Sequence, residues 1–400
     1  MKLGWVDFSK EDRQKALDVI NLLSEKGAVD ELGIGIVRDA FANYFFSGTS
    51  TIQTRAKYFL IVPYVLKEAV TGKYGKDPNR ILNRIDAEEK ECGRMLLKAD
   101  PNVEGVIGKR MLPTGWVARK PSDIYWNGIR TYGIFCEYGL SIPEYIALAM
   151  RLREQKASAG LGNRKDDAEE NEKDDADAGD IANIQFWDLP IYEENWRDDL
   201  KIELTKKEAF YLDKKIQKST KGTLLEFILK NHIDLNEYKD FSSMAADLSQ
   251  KVEPELAYMM HLACDFNNLV YMARVRYNVM LSEGENVIAL DRWKQLETQC
   301  SSYAAVDLKA VFEKLRLQNP ATLLFLMKLQ EAFVNQDIDM VDQLIKKREI
   351  QLKGVKRAKL NRPKEFDPSV WVGGEELDYR FSDTKRIIND IYAGEVSADV

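Results

Sequence analysis

The longest helical pattern in the chain lies in residues 253–281, and it constrains the fold more than any other feature of the sequence. Ten apolar residues from Leu256 to Met280 recur there at helical spacing and form a nearly continuous stripe. A helix of this length measures about 43 Å at the usual rise per residue. The pattern therefore predicts one long buried helix around which a core is built.

Helical patterns also dominate the rest of the sequence, and strand signals are scarce. Pro63 is expected to kink or interrupt the helix predicted at residues 50–69. The sequence thus predicts a predominantly all-α fold. Capping residues and apolar spacing predict further helices at 10–25, 33–46, 50–69, 81–98, 122–138, 141–153, 206–218, 289–300, 306–317, 321–335, 340–352 and 382–393.

The chain has 400 residues, which exceeds the length at which one hydrophobic core stops growing. Residues 166–180 contain nine acidic residues and one lysine and no aromatic residue, a composition typical of a disordered segment. We therefore predict two helical domains, 1–158 and 182–400, joined by an acidic flexible linker at 159–181. The alternative is a solvated loop within one domain.

The N-terminal residues lack the apolar core and cleavage site of a secretory signal. The longest apolar run, residues 58–66, is too short to span a bilayer. We therefore expect a cytoplasmic protein without membrane contact. The four cysteines are widely spaced and form no CxxC pair, so buried thiols are favoured over disulfides or a zinc ribbon.

No familiar catalytic motif is present. The chain has only two histidines, His232 and His261, and neither has the spacing of a hydrolytic or metal-binding motif. Gly33-Ile34-Gly35 lacks the third glycine of a dinucleotide fingerprint, and no phosphate-binding loop occurs. We therefore predict no catalytic residues, no metal site and no cofactor.

A metal-dependent nuclease is a further hypothesis, because the chain contains a group of carboxylates and a lysine, the residue types that such a site requires. Combinations of this kind also arise by chance in a chain with 31% charged residues. The combination consists of Asp198, Asp199, Glu203 and Lys206.

A basic segment at 346–364 contains nine basic residues and one acidic residue, Glu349. After the predicted helix ends near residue 352, we expect its cations to lie on flexible backbone that can reach phosphates. They could equally dock on an acidic surface, either residues 166–180 or a partner. Residues 119–122 precede two predicted helices, which could form a helix-turn-helix or simply pack in the core.

Several blocks of sequence occur in order along the chain: residues 4–9, 30–35, 38–41 and 47–59, Pro121-Ser122 with Tyr125-Trp126, Arg348-Glu349, 352–354, Trp371 and 377–380. Together they resemble a bacterial family known as domain of unknown function 6361. The resemblance implies no established activity. It implies a genomic context near large helicases and phospholipase-D-like nucleases in antiphage clusters.

These observations lead to three hypotheses. The first is a non-catalytic subunit of a bacterial multi-gene antiphage defence system, which scaffolds a helicase or nuclease partner and could also contact DNA or RNA. The second is a stand-alone DNA- or RNA-binding regulator, and the third is the metal-dependent nuclease. For the first two, the predicted contact residues are Arg55, Lys57, Lys353, Lys356, Arg357, Lys359 and Arg362.

Overall fold

The computed structural model describes residues 30–71, 77–112, 114–137, 139–162, 185–193 and 195–397, with only the backbone described at 156–162. These residues confirm the predicted all-α fold, since they form helices and no strand. Their β-structure is limited to one antiparallel bridge between Phe135 and Trp187. The predicted helix at 10–25 and residues 163–181 of the predicted linker lie outside the described residues.

No helix among the described residues combines the length and the apolarity that crossing a lipid bilayer requires.

The described residues group into two compact units, each built from separated parts of the chain. Unit 1 contains those up to Phe45 and those of Tyr238–Tyr379. Unit 2 contains those of Phe46–Glu237 and those from Arg380 onward. These units differ from the two consecutive domains expected from the sequence. The division at 159–181 stays a prediction, because most of that segment lies outside the described residues.

Unit 1 is built around the long helix predicted from the apolar stripe, α9. Its helices are α1 (Gly35–Phe45), α8 (Phe241–Leu248), α9 (Pro254–Leu281), α10 (Val287–Glu297), α11 (Cys300–Tyr303), α12 (Leu308–Lys314), α13 (Pro320–Val334) and α14 (Ile338–Lys353), followed by two short 3-10 turns, Lys359–Asn361 and Pro363–Glu365. At its centre Phe41 lies 5.3 Å from Tyr379, and Phe45 lies 5.0 Å from Phe241, measured between ring centroids. Such aromatic pairs bury large apolar areas and anchor α1 to α8 and to the segment around Tyr379.

Residues 368–377, here called the strap, are held along unit 1 by buried polar side chains of α9 and of the α9–α10 connection. The Asn278 side chain accepts a hydrogen bond from the Val372 N–H at 2.7 Å and donates one to the Val372 carbonyl at 3.0 Å. Asn267 accepts from the Leu377 N–H at 2.6 Å, and Asn286 donates to the Pro368 carbonyl at 2.9 Å. These amides supply the partners that irregular backbone needs when it is buried.

Unit 2 is centred on α2, ten of whose twelve residues are buried. Its helices are α2 (Tyr58–Ala69), α3 (Pro78–Ala99), α4 (Pro121–Thr131), α5 (Ile142–Gly162), α6 (Lys206–Ser219), α7 (Leu224–Lys230) and α15 (Phe381–Glu395), with a 3-10 turn at Leu235–Glu237. Gly128 on α4 allows a close approach, because a Cβ there would lie 2.4 Å from the Gly48 carbonyl. The loop at Gly48 and α4 could not pack this closely with a larger residue at position 128.

Three local expectations need correction. The helix containing Pro63 begins at Tyr58 rather than near residue 50, and the proline does not interrupt it. The packing of ten buried residues offsets the one backbone hydrogen bond that the proline removes. The helix expected at 141–153 extends to Gly162. The helix pair considered as a helix-turn-helix, α4 and α5, is separated by residues 132–141 rather than by a short turn, and most of α4 is buried.

Candidate interaction surface

Arg55 lies just before α2 and is held by a carboxylate of its own unit. Its Nε donates to both carboxylate oxygens of Asp390, at 3.0 and 2.9 Å, and its Nη1 donates to the Glu104 carbonyl. The Ala56 N–H donates to the same carboxylate at 2.8 Å. Burial raises the pKa of Asp390, although these hydrogen bonds act in the opposite direction. Only 20% of the Arg55 side chain remains exposed.

Lys57 is engaged in the same way. Its Nζ donates to the two carboxylate oxygens of Glu208 at 2.8 and 2.6 Å, and the residue is 7% exposed. Glu208 also accepts from the Thr205 N–H as part of the capping box of α6. Arg55 and Lys57 thus fasten the 47–59 block to α15 and α6. Their predicted contact with a partner or nucleic acid stays a prediction, with little exposed surface to support it.

Two lysines of the basic segment, Lys353 and Lys359, are also paired. Their Nζ atoms lie 3.1 and 3.0 Å from the same oxygen of Glu31. Lys353 additionally lies 3.3 Å from Glu349. Both lysines therefore neutralise carboxylates within unit 1.

Glu349 explains why the basic segment is not on flexible backbone as expected. Its side chain is fully buried and accepts hydrogen bonds from the Tyr277 hydroxyl at 2.8 Å and from the N–H groups of Lys359 and Leu360, each at 3.0 Å. Burial and the neighbouring carboxylate raise the pKa of Tyr277. A buried carboxylate with these donors fixes the chain that follows α14, because leaving it unpaired would be costly.

The remaining predicted contact residues of this segment are exposed. Lys356 forms no ion pair with any residue that the structure describes, whereas Arg357 donates to the Lys353 carbonyl at 2.9 Å and Arg362 pairs with Glu365 at 2.7 Å. Lys346, Lys347 and Lys364 are likewise exposed and without an ion pair among the described residues. We call Lys346, Lys347, Lys356 and Lys364 the unit 1 lysines. The structure therefore separates the basic segment into internal cations and these exposed ones.

Sequence reasoning missed the role of Arg348, which fastens the 30–35 block to α14. Its Nε donates to the Leu32 carbonyl and its Nη2 to the Thr322 hydroxyl, both at 2.9 Å. Gly33 has a φ of 65°, and a Cβ there would lie 2.8 Å from the Leu352 Cδ1. The only signal in the sequence was that both segments belong to the blocks that carry the family resemblance.

The described residues contain no group of three or more His, Cys, Asp or Glu side chains that could hold a metal ion. His232 stacks on Tyr392 and lies 3.5 Å from the Glu395 carboxylate, and His261 is exposed on α9. One buried carboxylate of unit 2 is strongly perturbed, because burial raises the pKa of Glu89 to about 8. It accepts hydrogen bonds from the N–H and hydroxyl of Ser122 and so caps the first turn of α4.

Residues 1–145 match the family described as "Family of unknown function (DUF6361)". This match supports the resemblance seen in the N-terminal sequence blocks and covers about a third of the chain. No curated protein matches the chain, and no solved structure does.

Proposed function

We propose that this protein is a non-catalytic subunit of a bacterial multi-gene antiphage defence system. It acts in the cytoplasm, where it binds a helicase or nuclease of the same system and contacts DNA or RNA. Two features support the proposal. The N-terminal third matches the DUF6361 family, whose resemblance implies a defence context. The described residues form two compact helical units, whose surfaces are available for binding a partner.

The choice of contact surface is supported by a difference in carboxylate partners among the cations of the 346–364 segment. Lys353 and Lys359 are neutralised by Glu31, whereas the unit 1 lysines have no carboxylate partner among the described residues. Exposed lysines without partners maintain a local positive field even though the whole chain carries a net charge of −7. An acidic protein surface or a phosphate backbone is complementary to that field.

The test is a phage protection assay with the native gene cluster. Replacing the four unit 1 lysines together by glutamine should abolish protection without loss of expression, because the contact charge is removed and the buried network is kept. The matched control replaces four exposed lysines elsewhere, Lys98, Lys230, Lys309 and Lys328, which also have no ion pair among the described residues. Protection that survives the first change, or is lost equally in the control, would contradict the proposal.

A stand-alone DNA- or RNA-binding regulator is the second candidate, and the exposed lysines on an anchored backbone favour it as well. Its distinguishing property is binding by the purified protein alone, with an affinity that falls steeply as salt rises. Absence of binding by the purified protein at low salt would remove this candidate.

A further inference from the structure

Helix α6 of unit 2 exposes a strip that the basic segment does not include. Lys207, Phe210, Lys214 and Lys218 are all exposed and follow one another at intervals of three, four and four residues. At 3.6 residues per turn, these positions fall within an arc of about 80° on the helix surface. Lys221 follows shortly after the end of the helix and is also exposed. We call these five residues the α6 strip.

The opposite face of α6 is buried, and the acidic residues of the helix lie outside the strip. Ala209, Leu212, Asp213 and Ile216 are buried there. Asp213 accepts hydrogen bonds from Gln217, and Glu208 is occupied by Lys57 and the capping box. Neither acidic residue of the helix lies on the strip, and of the two only Asp213 contacts a lysine of the strip, Lys214.

The positive charge of the strip is largely uncompensated. Lys207, Lys218 and Lys221 form no ion pair with the part of the chain that the structure describes. Lys214 contacts Asp213 at 3.2 Å, yet its side chain is 57% exposed. Such cations gain little from their own protein and are available to an anionic ligand.

Phe210 distinguishes the strip from an ordinary solvated lysine face. Its side chain is 58% exposed in the middle of the strip, and the Lys214 Nζ lies 5.2 Å from the centre of its ring. A large aromatic side chain is usually buried, so an exposed one among lysines is a ready platform for a planar ligand. A ring flanked by cations is what proteins present to unpaired bases and their phosphates.

We propose that the α6 strip binds single-stranded nucleic acid, with the lysines contacting phosphates and Phe210 stacking on a base. An acidic peptide could use the lysines, but it has no base to stack on the ring. A duplex hides the faces of its bases, so Phe210 favours the single strand. This surface belongs to unit 2 and does not depend on the unit 1 lysines or on the defence role.

The experiment measures fluorescence anisotropy of a labelled 20-nucleotide oligo-dT with the purified full-length protein at several salt concentrations. Replacing Lys207, Lys214, Lys218 and Lys221 by glutamine should flatten the plot of log affinity against log salt by about 3 units, since each lost phosphate contact contributes about 0.7. Phe210→Ala should weaken binding on the order of tenfold. The four control lysines named above, changed to glutamine, should leave binding unchanged.

Three results would overturn the inference. One is the absence of oligo-dT binding at low salt. Another is that only the variant of the unit 1 lysines loses binding, which would place the contact elsewhere. The third is that polyglutamate competes as well as the oligonucleotide and Phe210→Ala has no effect, which would favour an acidic protein as the ligand. Circular dichroism of each variant checks that the fold is kept.

Discussion

At the scale of single residues, the cations of this chain differ by their partners rather than by their position in the sequence. Arg55, Lys57, Lys353 and Lys359 each meet a buried or half-buried carboxylate, whereas Lys356 does not. The sequence predicted all of them as one class of contact residue. It could not distinguish the paired cations from the unpaired one, because the partner of Lys353 lies 322 residues away in the chain and leaves no local pattern.

Glu349 provides the sharpest test of the buried network. Glu349→Ala leaves the Tyr277 hydroxyl and two backbone N–H groups without their acceptor and removes one of the two carboxylates that Lys353 contacts. We expect the free energy of unfolding to fall by about 3 to 5 kcal/mol, as measured by urea denaturation. Glu365→Ala removes the exposed partner of Arg362 and should cost at most about 1 kcal/mol. Equal effects of the two changes would show that the buried network contributes little.

Glu89 predicts a dependence of stability on pH. Burial raises its pKa from 4.5 to about 8, so the folded protein holds a proton that the unfolded chain releases. Its contribution to stability is therefore complete below about pH 4.5 and is lost as the pH rises towards 8. The Glu89→Gln variant stays neutral at this position. Relative to it, the free energy of unfolding of the wild type should fall by at most about 1.4 kcal/mol per pH unit across this range.

Chemical denaturation of both proteins between about pH 5 and pH 8 measures this difference. Glu91→Gln, a change at a half-exposed position of the same helix, should run parallel to the wild type. If the difference in free energy of unfolding between the wild type and Glu89→Gln stays constant over the whole range, the raised pKa of Glu89 is contradicted.

At the scale of elements, the sequence predicted α9 and most other helices, because apolar spacing and caps are local signals. It missed α7 and α8, which are only seven and eight residues long and offer too little periodicity. It also missed the strap, whose attachment depends on Asn267 and Asn278 lying on the buried face of α9. Polar residues within an apolar stripe give no indication of which backbone they will hold.

Asn278 tests the attachment of the strap. Asn278→Ala removes both hydrogen bonds to Val372 and should destabilise the protein by about 1 to 3 kcal/mol, because partly buried backbone groups lose their partners. Hydrogen exchange followed by mass spectrometry should show faster exchange in residues 368–377. Asn335→Ala, at an exposed position, serves as the control. Unchanged exchange in the strap would show that other contacts hold it.

At the scale of the whole molecule, the all-α class follows from helical patterns throughout the chain, and the structure confirms it. The composition of the two units could not be predicted in this way. Unit 1 depends on Phe41 and Phe45 packing on Tyr379 and Phe241, and these contacts join residues far apart in sequence. Nothing in the local pattern of residues 35–45 indicates which later segment they pack against.

The same contacts predict how a fragment will behave. Residues 182–400 alone lack α1 and Glu31, so the aromatic centre of unit 1 is incomplete and Lys353 and Lys359 lose a carboxylate. We expect this fragment to lose the cooperative thermal unfolding of unit 1, as followed by circular dichroism. A fragment that unfolds cooperatively at the wild-type temperature would show that residues 182–400 form a domain by themselves.

We propose that this protein works as a subunit that binds a helicase or nuclease through exposed cations. Affinity purification of the tagged protein from its native gene neighbourhood, with mass spectrometry and a check for bound nucleic acid, tests it most directly. We predict a stoichiometric helicase or nuclease partner that is lost when the unit 1 lysines are replaced by glutamine and kept in the control variant. A protein that purifies alone, with or without nucleic acid, would contradict the claim.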